Sequence, residues 1–207
     1  LPGPPGGLRA VQRLALRSLS SGNEHRPRRA FCYRARMGRT LLEDAFEHHV
    51  WATLRLIDTC LTLSPSELER AVPGTYGTIL DTQRHVVGSD SWYLFDITGD
   101  RARRIEEGLM DLPELRTAME RDGEAWSALL AQDLDPDVVL KDVDQDDGYE
   151  RDAPIGIRLA QALHHGADHR SQICTALTSL GVEPPGIDVW NFGVEVGRVV
   201  DVPPPTS

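Results

Sequence analysis

Residues 154–180 read PIGIRLAQALHHGADHRSQICTALTSL. Within this stretch Ile155, Leu159, Ala162, Gly166, His169, Ile173, Leu177 and Leu180 recur every three or four positions, which is the period of one helix face. Gly181 follows at the place where a helix commonly ends in a left-handed residue. The spacing predicts one long amphipathic helix from Pro154 to Leu180. A stripe this wide needs partner helices to cover it.

Three such partners lie upstream. Leu42, Phe46, Val50, Leu54, Ile57 and Leu61 predict a helix over 41–63, with Ser64, Pro65 and Ser66 stopping it. Ile79, Val86, Tyr93 and Ile97 predict a second over 78–97, ended by Gly99. Leu115, Met119, Trp126, Leu129 and Leu130 predict a third over 112–131, with Pro113 in its first turn. Between the third and fourth helices, VVLKDV and YERD flank the acidic turn DQDDG, as in a small hairpin. After Gly181 a short docked helix is expected over 189–198. The expected fold is therefore all-α, a four-helix bundle with a hairpin insert between helices three and four.

The chain has 207 residues, enough for one compact domain, and a net charge of -10 that is unevenly spread. Residues 1–36 carry eight arginines against Glu24, a local +7, so the remainder carries -17. Nucleic acid is disfavoured as a partner of so acidic a domain, because that affinity comes from cations displacing counterions. Residues 1–36 are expected to be a basic, disordered extension or a misassigned start, residues 37–200 the domain, and 201–207 a tail. No run of apolar residues is long enough to cross a membrane, so no membrane role is expected. The three cysteines, Cys32, Cys60 and Cys174, are too few and too scattered for a disulfide scaffold, which points to a reducing, cytoplasmic setting.

Chemistry is concentrated in the histidines. Of seven, His165 and His169 stand four apart on the fourth helix, so their imidazoles leave the same face and can close on one ion. His169 lies on the apolar stripe and His165 at its edge. His85 sits beside the inward stripe of the second helix. Three inward imidazoles from two helices would supply three neutral nitrogen ligands to a borderline divalent cation and leave a fourth position open, an arrangement suited to catalysis. Each histidine alone would more simply be a buried, hydrogen-bonded residue; the three together favour a metal.

Other chemistries fail on particular residues. A His-Glu-x-x-His protease helix needs Glu after its first histidine, and Gly166 stands there. The Glu-x-x-His of carboxylate-bridged iron bundles does not occur. Asp142, Asp144 and Asp146 begin like a calcium loop, but the turn glycine is displaced to Gly148 and the last ligand position holds Ala153, so they read as a solvated turn. No serine-hydrolase elbow or nucleotide loop is present. Cys60 and Cys174 read as packing residues.

The arrangement of His85, the run His165-Gly-Ala-Asp-His169-Arg170-Ser171-Gln172-Ile173 and the following Leu-Gly-Val-x-Pro-Pro resembles the DinB/YfiT-like family. The similarity spans about Met37 to Val199 and includes HHVWATLRLIDTC, GTYGTILDTQRHVVGSDSWYL and IDVWNF. It implies a four-helix bundle holding a divalent metal, zinc or nickel, on His85, His165 and His169, often as a homodimer. Ser171 replaces the family's usual glycine. The resemblance makes His48 and Gln172 candidates for supporting the ligands from behind, while His49 and His164 are expected to be structural or solvent-facing. It implies a small-molecule substrate, including a low-molecular-weight thiol, and an enzyme of thiol S-transferase or hydrolase type. The alternative is a non-catalytic metal-binding or stress-linked interaction protein.

Overall fold

The computed structural model describes residues 39–143 and 148–203. The expectations for residues 1–36, Cys32, the hairpin turn at Asp144 and Asp146, and the last four residues of the tail lie outside them. Helix α1 spans Leu41–Cys60 and opens on a capping box in which Thr40 and Glu43 satisfy each other's backbone N–H groups. It ends before the expected Leu63. Ser64, expected only to stop that helix, instead caps a one-turn helix, α2 (Pro65–Leu68), with Pro65 in its first turn.

Helix α3 spans Ile79–Thr98 and closes on Gly99, whose φ of 72° suits a residue without a side chain. Two short 3-10 turns, Arg101–Arg103 and Glu107–Leu109, lead to α4 (Leu112–Leu130), which is capped by Asp111. Strands β1 (Val139–Val143) and β2 (Glu150–Pro154) pair antiparallel, with Leu140 opposite Ala153, as the expected hairpin. Helix α5 spans Ile155–Ser179, and α6 spans Val189–Glu195, shorter than expected because the chain turns at Gly197.

The four long helices form a ring in which α1 touches α4 and α5, and α3 touches α4 and α5. Two apolar clusters fill it. One holds Leu56, Ile57, Ile79, Val87, Leu115, Met119, Ile173 and Leu177. The other holds Phe46, Leu94, Trp126, Leu129, Ile155 and Leu159. Chain order through these clusters shows that α1 and α5 run one way and α3 and α4 the other.

On each of the four long helices a buried polar residue falls between the two clusters: His49 and Thr53 on α1, Asp90 and Ser91 on α3, Asp122 on α4, and Arg170 on α5. Their hydrogen bonds are internal. The Arg170 guanidinium donates to His49 Nδ1 at 2.8 Å and to Thr53 Oγ1 at 3.2 Å. His49 Nε2–H then donates to Asp90 at 2.8 Å, and the Ser91 hydroxyl donates to Asp122. Pairing of this kind is what allows charges to stay in an interior, since a lone buried ion is strongly destabilising. Gly166 makes room for the layer: a Cβ there would lie 2.3 Å from His49 Cε1.

Candidate metal centre

The Thr78 hydroxyl caps α3 by accepting from the Asp81 N–H, and this start sets His85 on the face turned toward α5. On α5, His165 and His169 are one turn apart and face back. The three rings meet with centroids 4.8 Å apart for His85 and His165, 4.7 Å for His85 and His169, and 4.4 Å for His165 and His169. Their planes cross at 67° to 89°, so the rings pack edge to face around a common centre.

His85 Nε2 and His165 Nε2 approach to 3.0 Å, and one nitrogen from each of the three residues lies within 4.8 Å of the others. A tetrahedral ion about 2.0–2.1 Å from each nitrogen sets neighbouring ligand atoms about 3.3 Å apart. The three imidazoles therefore stand at a spacing that a small cation can close without moving a helix. A donor set of neutral nitrogens without carboxylate suits a borderline ion.

Electrostatics agree with that use. Burial first, and then the neighbouring His169 and His85 rings, push the His165 pKa down to about 4. Burial, with His169 second, also holds His85 below its ordinary value. These two imidazoles are thus kept neutral with a lone pair available, the form that coordinates a cation.

Two groups brace the cluster. His169 Nδ1–H donates to Gln172 Oε1 at 3.2 Å, which leaves Nε2 free to face the other rings. The same oxygen accepts the backbone N–H of Tyr76 at 2.8 Å, tying down the loop before α3. The Tyr76 ring then lies flat on His85, with centroids 4.1 Å apart and planes 8° apart, and meets His169 edge-on. Tyr93 closes the other side, its ring 6.1 Å from that of His165, and burial raises its hydroxyl pKa.

Of the residues singled out in the sequence, the structure gathers His85, His165, His169 and Gln172. It does not bring His48 to them: His48 Nε2–H donates to the Ile187 carbonyl at 2.7 Å, and its ring packs on Trp51 and Phe192. His164 is exposed, and His49 is buried in the polar layer of the core. Cys60 is fully buried and Cys174 partly so, and neither joins the histidines. Sequence reasoning missed Tyr76; its place in a glycine-bounded loop just before α3 is the one signal available, since site residues are disproportionately on loops held by a rigid scaffold.

On its His85 side the cluster adjoins a cleft of about 420 Å³ lined by Tyr76, Gly77, Asp81, Arg84, His85, Glu107 and Gly108. A larger groove of about 1180 Å³ runs between α1 and α4, floored by Phe46, Trp51 and Trp126, but none of the three clustered histidines lines it.

A model of the DinB family matches residues 37–195, a span that takes in the whole bundle and all three histidines. The chain belongs to the DinB family. A search of curated proteins found no match. In this DinB protein the fold and the three-histidine group are both compatible with metal binding, and among the described residues no helix is long and apolar enough to cross a membrane.

Proposed function

We propose that the protein is a metal-dependent enzyme that binds zinc or nickel through His85, His165 and His169 and activates a low-molecular-weight thiol for transfer to an electrophilic small molecule. The observation that carries this reading is the convergence of three imidazoles from α3 and α5 on one point beside an open cleft. When bound, the ion would act as a Lewis acid, lowering the pKa of a thiol or water at its open position. The chain's own residues do the rest. Gln172 fixes the His169 tautomer, Tyr76 shields His85 from water on one face, and the cleft admits a small polar molecule from the side of Arg84 and Glu107. Water can take the place of the thiol in the same geometry, which is the hydrolase form of the reading. Free, unpaired Cys60 and Cys174 support a reducing cytoplasmic setting, and family resemblance supports a homodimer.

The test is metal analysis of protein made without a histidine tag. We expect close to one zinc or nickel per chain, lost in His169→Ala and released on acidification because protonated imidazole cannot coordinate. A metal-loaded protein inert toward a panel of thiols with electrophiles and of esters would instead support a binding module without catalysis. Full metal content in His169→Ala would overturn the site.

A further inference from the structure

We propose that Glu107 is the proton acceptor of this site, taking the proton that a thiol gives up as it enters the cleft; the proposal rests on the thiol reading above. Glu107 begins the 3-10 turn Glu107–Leu109 and lines the same cleft as His85 and Tyr76. Its side chain lies against α3 at Gly88, one turn beyond His85 and on the same face. A Cβ at position 88 would stand 2.5 Å from Glu107 Cδ and 2.8 Å from its Oε1, so the missing side chain of Gly88 is what admits the carboxylate. A glycine inside a helix costs about 1 kcal/mol relative to alanine, and at this position it makes room for an acid beside the cleft.

Two further observations define the role. Glu107 is half-buried, yet among the described residues no hydrogen bond or ion pair holds its carboxylate. A carboxylate with free lone pairs can accept a hydrogen bond from an S–H group entering the cleft. It also stands outside the group of ligand atoms formed by the three histidines, so it is placed to serve an incoming molecule instead of the ion. The charged or titratable groups sharing the cleft are Tyr76, Asp81, Arg84 and His85. Arg84 is already engaged, its Nε–H donating to the Met110 carbonyl at 2.9 Å and its NH1 lying 3.7 Å from Asp81. That leaves Glu107 as the uncommitted carboxylate against the α3 wall.

The step balances without a further reagent. The thiol S–H bond breaks, its electron pair stays on sulfur, and the proton forms an O–H bond on Glu107. Sulfur then bonds to the electrophilic carbon as the leaving group departs with its bonding pair and takes the proton back from Glu107.

Stopped-flow mixing of cobalt-loaded protein with 2-mercaptoethanol tests this through the visible absorption change on thiol binding, followed from pH 5.5 to 8.5. In the unaltered protein the binding rate should stay nearly level across this range. In Glu107→Gln it should fall tenfold per pH unit across this range, since only thiol already ionised in solution can react, and should be about a hundredfold slower at pH 6.5 than at pH 8.5. Glu107→Asp should recover part of the rate, with cobalt content equal in all three proteins. Superimposable profiles for the unaltered protein and Glu107→Gln would overturn the role of Glu107 alone. Failure of the unaltered protein to take up cobalt, or cobalt uptake without thiol binding, would overturn the parent reading and this one with it.

Discussion

At the scale of single residues, the centre depends on which nitrogen each imidazole offers. Gln172 decides this for His169, and removal of such a bond behind a ligand typically weakens metal affinity tenfold to a hundredfold. Gln172→Ala should show that loss in competition with a chromogenic zinc chelator. His48→Ala should leave zinc affinity unchanged in the same assay, because its imidazole is spent on the Ile187 carbonyl near α6. The contrast explains what a sequence can reveal here. The i, i+4 spacing of His165 and His169 is dictated by helix geometry and can be read directly, whereas the destination of His48 depends on a loop almost 140 positions away that no local pattern encodes. Glu107 was invisible for the same reason, since its importance arises only when the 3-10 turn settles over Gly88.

At the scale of elements, the long helices were legible because their apolar stripes recur at helical spacing, and in the structure Thr40, Thr78 and Asp111 satisfy backbone N–H groups at the starts of three of the four. Helix ends were less so. Leu61 and Leu63 continue the first stripe in sequence but lie beyond its end, and Ser64-Pro65 carries both a stop signal and a start signal. The contact of α5 with α1 is set by Gly166. Gly166→Ala would drive a methyl group into the buried His49 ring, which cannot swing aside without losing Asp90 or Arg170. We expect a loss of about 1–3 kcal/mol in urea unfolding, the usual cost of overpacking.

For the molecule as a whole, the polar layer carries a pH signature. Burial outweighs the Ser91 and Arg121 contacts and raises the Asp122 pKa to about 6, from an ordinary value of 3.8. A carboxyl group with a raised folded pKa favours the native state only while protonated. Its penalty is absent below about pH 4, grows as pH rises through 6, and reaches about 3 kcal/mol above pH 7. Asp122→Asn should accordingly stabilise the protein at pH 7.5 by up to that amount and make no difference at pH 4, as measured by urea denaturation at both values. Two apolar clusters separated by polar groups on all four long helices also fix how the bundle is assembled. Sliding α1 by one turn would leave hydrocarbon facing Asp90 and strand Arg170 without an acceptor, and sliding α4 would part Asp122 from Ser91, so misaligned forms are penalised far more than an all-leucine interior would penalise them. The histidines of α3 and α5 consequently meet at a single height along the bundle axis, and the geometry of the three-histidine group is determined by a lock that contains none of its members.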